Sequence, residues 1–140
     1  MSVRESIAAN IVEVLGAMDD PLLKKITRQP FDYERLSNAQ FPAVFVQGAE
    51  ETRGDITLIG IRESSINYQI IGFVKGPDID TYRNELIEGI ENALEVDRTR
   101  GGHAKDTQIL SVDTDQGATD PIGGITLTVQ VRYQYMRGSS

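Results

Sequence analysis

The segment Ile125-Thr-Leu-Thr-Val-Gln-Val-Arg-Tyr-Gln-Tyr135 decides the fold of this chain. Apolar and polar side chains alternate along it, and a period of two residues is typical of a β-strand with one buried face. The segment is also longer than a common strand of about five or six residues. We therefore expect it to be a central strand whose apolar side lies on the hydrophobic core.

The polar positions of this strand are neutral apart from one arginine. They hold Thr126, Thr128, Gln130, Arg132 and Gln134. A solvated strand usually carries Lys or Glu, partly to block pairing with other strands. Neutral hydrogen-bonding groups suit a hydrated protein–protein contact, so we predict Thr128, Gln130 and Arg132 as partner-binding residues. An ordinary threonine-rich exposed face is the alternative.

Further strand patterns precede this segment. Ala43–Val46 is a short apolar run closed by Gly48, Ile56–Arg62 has strand character, Ile66–Val74 alternates, and Thr107–Asp113 forms another strand. The residues between them are turn formers. Glu50–Asp55 reads as a charged hairpin loop, and Thr114–Gly123 as a turn-rich loop.

Two amphipathic helices complete the pattern. Apolar residues recur at helical spacing over Val3–Met18, after a capping box formed by Ser2 and Glu5. A second helix is predicted to begin near Pro77. Opposite its apolar stripe this helix carries an acidic stripe, which consists of Glu85, Glu88, Glu91 and Glu95.

These elements predict an α+β fold, a mainly antiparallel β-sheet with two α-helices packed on one face. The 140 residues suit a single domain, which we assign to residues 1–137. Residues 138–140 are expected to be a flexible C-terminal tail or a cloning remnant. The segment Pro21–Phe41 is undecided between a short helical turn and a strand.

Composition excludes several function classes. The net charge of −7 disfavours tight nucleic-acid binding, although an acidic wall past which DNA slides stays compatible with it. The chain contains no cysteine, which removes disulfides and thiolate chemistry. No apolar run reaches the roughly 20 residues that span a bilayer, so we expect no membrane association.

No residue pattern predicts catalysis, a cofactor or a metal site. The single histidine, His103, has no second histidine or triad partner. The aspartates around Gly117 fail the calcium-loop spacing, and the loop Arg98–Lys105 lacks the Gly-Lys-Ser/Thr ending of a phosphate-binding loop. We expect no enzyme, no cofactor and no bound metal. The basic loop is better suited to contact an acidic partner.

Several segments together resemble the tail terminator (tail completion) proteins of long-tailed bacteriophages. They are the N-terminal helix, Phe41-Pro-Ala-Val-Phe-Val-Gln-Gly-Ala-Glu50, Tyr68-Gln-Ile-Ile-Gly-Phe-Val74, the acidic helix, Thr107-Gln-Ile-Leu-Ser-Val-Asp-Thr-Asp-Gln-Gly117, Pro121-Ile-Gly123 and Leu127-Thr-Val-Gln-Val-Arg-Tyr133. The similarity covers nearly the whole chain in order.

The resemblance implies a homo-oligomeric, hexameric ring at the tail–neck junction of a virion, assembled in the host cytoplasm. Such a ring caps the tail tube, ends its growth and offers a docking surface to the head-side connector or neck protein. DNA passes through its lumen without specific binding. We predict contacts to these partners from Glu50, Glu51, Arg53 and Asp55 in the charged hairpin, and from Arg98 and Arg100 in the basic loop.

Three other functions stay open on the sequence. The chain could be another head–tail neck or minor tail protein of the virion. It could instead be a small-molecule-binding regulatory α+β module, for which no clustered polar motif is present. A small enzyme ranks last, since the chain offers no set of acid, base and nucleophile.

Overall fold

The computed structural model describes residues 2–56, 60–114 and 122–136, with only the backbone of residues 55, 56 and 136. The described residues form two α-helices and five β-strands. In chain order these are α1 (Val3–Gly16), β1 (Lys25–Thr27), β2 (Ala43–Ile56), β3 (Ile61–Lys75), α2 (Ile79–Glu95), β4 (Asp106–Thr114) and β5 (Ile122–Met136). Short 3-10 turns lie at Tyr33–Arg35 and Asn38–Gln40.

All five strands belong to one sheet in the order β1-β2-β3-β5-β4. The pairs β2–β3, β3–β5 and β5–β4 are antiparallel, whereas β1 lies parallel to β2. This confirms the predicted α+β class with a mainly antiparallel sheet. The predicted loop over residues 114–123 falls largely on residues 115–121, which lie outside the described residues, as does the predicted tail at 138–140.

The core lies between the sheet and both helices. The apolar positions of β5 are fully buried at Leu127, Val129 and Val131. The same cluster contains the apolar stripes of the helices, Ile7, Ile11 and Leu15 from α1 and Leu86, Ile90 and Leu94 from α2. Both helices therefore cover one face of the sheet, as predicted, and we call this face the helix face and the opposite one the outer face.

The charged run Glu50–Asp55 is not a loop, and this prediction was wrong. β2 continues through it to Ile56 and stays paired with β3, with Glu51 opposite Ile66 and Arg53 opposite Ser64. Register shifts interrupt the ladder after Gly48 and after Arg53. The charged side chains are accommodated because Glu51 and Arg53 find polar partners on β3 and β5, which compensates their low strand propensity.

The undecided segment Pro21–Phe41 contributes a short edge strand and irregular turns. Lys25, Ile26 and Thr27 pair with Ala43, Val44 and Phe45. Ile26 packs on the core of the helix face. By strand alternation Lys25 and Thr27 then point to the outer face.

The start of α1 follows the prediction only in part. The Ser2 hydroxyl accepts a hydrogen bond from the backbone N–H of Glu5, as a capping residue does. The Glu5 carboxylate turns instead to Arg28, which donates two hydrogen bonds to it. These hydrogen bonds lower the pKa of Glu5 and tie α1 to the residue that follows β1.

Candidate assembly surfaces

The outer face of the sheet carries a patch of neutral polar side chains across four strands. Thr128 on β5 lies between Gln69 on β3 and Ser111 on β4, and Gln69 in turn faces Gln47 on β2. In the next row Gln130 lies between Asn67 and Gln108. We call these seven residues the polar patch: Gln47, Asn67, Gln69, Gln108, Ser111, Thr128 and Gln130.

The polar patch is accessible in the single chain. All seven residues are partly or fully exposed, and none of the described helices packs on this face. Hydroxyl and amide groups each donate and accept hydrogen bonds without the desolvation cost of a charge. The patch is chemically suited to a hydrated protein surface, and partner binding by Thr128 and Gln130 stays a prediction.

Another part of the outer face is covered by the segment between β1 and β2. Phe31 meets Phe45 edge-on with ring centroids 5.1 Å apart, and Tyr33 stacks on Phe73 at 4.6 Å. Phe45 is consequently only 7% exposed although it points away from the core. The outer face is thus divided into an aromatic half that this chain covers itself and a polar half that its described elements leave open.

Arg98 and Arg132, predicted from two separate segments, converge on one carboxylate. Arg98 donates to both oxygens of Asp106, from Nε at 2.7 Å and from Nη2 at 3.0 Å. The Nη2 atom of Arg132 lies 3.7 Å from the same carboxylate. Desolvation alone would raise the pKa of Asp106, but the hydrogen bonds from Arg98 and from the backbone of Thr107, together with the charges of Arg98 and Arg132, outweigh it and lower the pKa. This cluster borders the polar patch and fixes the start of β4.

The residues of the charged run point in different directions. Glu51 is directed to the helix side of the sheet, where its side chain is 12% exposed. Its Oε2 atom lies 2.7 Å from Nε of Arg53 and accepts hydrogen bonds from Ser64 at 2.9 Å and Tyr133 at 3.2 Å. Arg53 also covers the ring of Tyr135 and donates to its hydroxyl. Glu51 and Arg53 therefore hold β2, β3 and β5 together.

Glu50 is exposed on β2, and the side chain of Asp55 lies outside the described part. Of the charged run, Glu50 is thus the described carboxylate with the freest access to a partner.

Arg100 is not available to a partner in this structure. Its side chain is fully buried, and Nη2 donates to the backbone carbonyls of Leu94, at 2.6 Å, and Asp97. Desolvation by burial lowers its pKa. The prediction of an exposed basic contact at Arg100 does not fit this burial, because the guanidinium caps the carbonyl end of α2. The backbone φ of 52° at Arg100 turns its side chain back under the helix.

Sequence reasoning missed the other strands of the polar patch. Asn67 and Gln69 stand on the polar side of the alternating β3 segment, and Gln108 and Ser111 on β4. Their neutral character was visible in the sequence. Their alignment with Thr128 and Gln130 depends on strand order and register, which alternation alone does not give.

Within the described residues no group of three or more His, Asp or Glu side chains is arranged to hold a metal ion. None of the helices seen there is both long and apolar enough to cross a bilayer. A cleft of about 250 Å³ lies beside the start of α1, lined by Arg4, Glu5 and Arg28 among others. Its cations are already paired, Arg28 with Glu5 and Arg4 with Glu51.

The comparisons with known proteins identify no family for this chain. No protein-family model matches the chain, and no curated protein sequence matches it. Solved structures include a match to a chain in the "Virion of native gene transfer agent (GTA) particle", with 10% identity and a TM-score of 0.47. The match covers 96% of this chain and 92% of the other. A likeness at this level carries no argument about function.

Proposed function

We propose that this chain is a structural protein of a phage-like virion that acts by assembly rather than by catalysis. More narrowly, we propose that it is a tail terminator, which forms a ring of about six copies on the end of the tail tube. In that position it stops tube growth and presents a docking surface to the head-side connector. The sequence resemblance suggests this role, and the geometry of the sheet is compatible with it.

The polar patch is the observation on which the proposal depends most. It offers about two rows of amide and hydroxyl groups on a rigid sheet, and its cross-strand neighbours are set by the register. A surface that only meets solvent has no need to avoid charge, whereas a hydrated contact does, since burying an unpaired charge costs more than burying a neutral polar group. We assign the polar patch to contact with the end of the tube.

The acidic side of α2 is consistent with a surface along which DNA passes without being bound. Glu85, Glu88 and Glu95 are exposed along the helix, and the net charge of the whole chain is −7. Negative charge repels phosphates and prevents the ring from holding the genome. This feature agrees with a conducting lumen.

The test uses tail tubes purified from the virion to which the chain belongs. The protein is mixed with the tubes and its position is recorded by electron microscopy. We expect binding at one end only. The substitution Gln130→Glu places a charge in the centre of the polar patch and should reduce end binding at least tenfold, which corresponds to about 1.4 kcal/mol. Gln29→Glu makes the same change at an exposed residue beyond β1 and should leave binding unchanged.

The same experiment distinguishes the terminator role from a second candidate function. Another neck or minor tail protein of the virion would bind along the sides of tubes or not at all. Either result contradicts the terminator role. The state of the cleft beside α1 argues against a small-molecule regulatory module. The arginines that could recognise a ligand there are already paired with carboxylates of this chain.

A further inference from the structure

The two edges of the sheet differ in charge. One edge is β1, where Lys25 is partly exposed. The residues just before it include Lys24, which is exposed, and Leu22, with 48% of its surface exposed. The other edge is β4, flanked by Glu91 and Glu95 of α2. We call Leu22, Lys24 and Lys25 the basic edge, and Glu91, Leu110, Val112 and Asp113 the acidic edge.

The acidic edge forms an open groove between α2 and β4. Its volume is about 690 Å³, and its walls include Glu91, Glu95, Arg98 and the exposed apolar residues Leu110 and Val112. The charge of Arg98 is already paired with Asp106 and Glu95 of the same chain. Leu110 is 50% and Val112 39% exposed. Edge strands with exposed apolar side chains are sites where another strand can add.

We infer that the basic edge of one copy docks on the acidic edge of the next copy, so that the sheet continues from chain to chain. The inference deepens the ring of the proposed function by naming its interface. A contact between two different edges is head-to-tail, and repetition of such a contact by rotation closes into a ring.

Strand direction is compatible with this contact. β5 is antiparallel to β4 and to β3, β3 is antiparallel to β2, and β1 is parallel to β2. β1 and β4 therefore run in opposite directions within one sheet. When a second copy continues the sheet with its faces on the same sides, its β1 lies antiparallel to β4, which is the more common pairing.

The charges also match on the outer face. Lys24 is exposed in the bend before β1, where alternation does not fix its side, because Leu23 and Ile26 both pack on the core. Lys25 points to the outer face, where its Nζ atom lies over the ring of Phe31. Asp113 is on the outer face of β4, opposite Thr126. Continuing the sheet thus places Lys25 near Asp113.

A bulge in β4 limits the contact to a short, specific one. The register of β4 against β5 shifts between Ile109 and Ser111, which takes Leu110 out of the regular pairing. Bulges on edge strands prevent long, unselective ladders. The remaining regular segment from Ser111 to Thr114 is about as long as β1, which has three residues.

The test is a charge exchange, read as self-association of the full chain by analytical ultracentrifugation without tubes. Lys25→Glu and Asp113→Lys should each weaken the association about tenfold, since each places like charges together. The double variant Lys25→Glu/Asp113→Lys restores opposite charges and should associate within about threefold of the original chain. Glu88→Lys is a comparable charge reversal at an exposed residue of α2, away from both edges, and should have no effect.

Circular dichroism checks that each variant is folded, which we expect because Asp113 and Glu88 are exposed and Lys25 is partly exposed. Three results would each overturn the inference. They are single variants that associate normally, a double variant that associates more weakly than either single one, and an original chain that stays monomeric at low salt. Failure of the proposed function would be recognised separately. A ring whose association responds to the charge exchange as expected, but which does not bind tube ends, contradicts the terminator role and leaves the interface standing.

Discussion

The carboxylate of Glu51 on β2 accepts a hydrogen bond from the hydroxyl of Tyr133 on β5, although β3 lies between the two strands. Their Oε2 and Oη atoms are 3.2 Å apart, and Ser64 of β3 donates to the same carboxylate oxygen. One side chain from each of the three central strands thus meets at a single point on the helix side of the sheet.

Removing the charge of Glu51 should destabilise the fold. Glu51→Gln keeps the shape but loses the ion pair with Arg53, and we expect the free energy of unfolding to fall by about 1–2 kcal/mol in urea titrations. Glu50→Gln is the matched control on the exposed neighbour and should change stability by less than about 0.5 kcal/mol. Equal effects of the two substitutions would contradict the assigned role of Glu51.

Tyr68 and Tyr133 should resist ionisation at alkaline pH. Burial raises the pKa of Tyr68, and burial together with the charge of Glu51 raises the pKa of Tyr133. A raised folded pKa means that these groups contribute stability in full below the unfolded value of about 10 and lose it as pH rises above that value. Absorbance at the tyrosinate band should therefore show Tyr68 and Tyr133 ionising together with unfolding. Ionisation of Tyr68 and Tyr133 while the fold persists would contradict this.

Gly89 should not tolerate a methyl group. A Cβ at this position of α2 would lie 2.7 Å from Cδ of Pro21 and 2.8 Å from the carbonyl oxygen of Asp20. We expect Gly89→Ala to cost about 1–3 kcal/mol, because overpacking outweighs the gain in helix propensity. Gly16→Ala is the control within α1, where the nearest atom would be 3.8 Å away, and thermal unfolding should show it neutral or stabilising.

Arg100 should stabilise the end of α2 without contributing to assembly. Arg100→Met keeps the buried apolar stem and removes the hydrogen bonds to the carbonyls of Leu94 and Asp97, and we expect a loss of about 1–3 kcal/mol in unfolding free energy. Arg35→Met, at an arginine with 87% of its side chain exposed, should change stability by less than about 0.5 kcal/mol. Weaker self-association of a fully folded Arg100→Met protein would contradict this assignment.

Alternation and helical periodicity predicted much of the fold because they depend on local burial. β5 and α2 are recognisable from their own residues, and each buries the predicted face. The strand character of Glu50–Asp55 could not be predicted in this way. Glu51 and Arg53 are tolerated in β2 only because Ser64, Tyr133 and Tyr135 meet them from strands far along the chain.

The candidate surfaces were predictable to a smaller extent. Thr128 and Gln130 were visible as a neutral strand face, but the patch needs Asn67, Gln69 and Gln108 from other strands. Arg100 was misassigned because a basic residue in a glycine-containing loop is usually solvated, and nothing local shows that it folds back under α2. The charge difference between β1 and β4 requires the strand order, which places these two strands at opposite edges.

Self-association into a closed ring is the central claim, and native mass spectrometry of the purified protein tests it most directly. We expect a discrete species of about six times the 15.5 kDa of one chain. High salt should weaken the association, because it screens the charges that pair the two edges. A chain that stays monomeric at low salt and high micromolar concentration would contradict the account. So would an open series of oligomers with no preferred size.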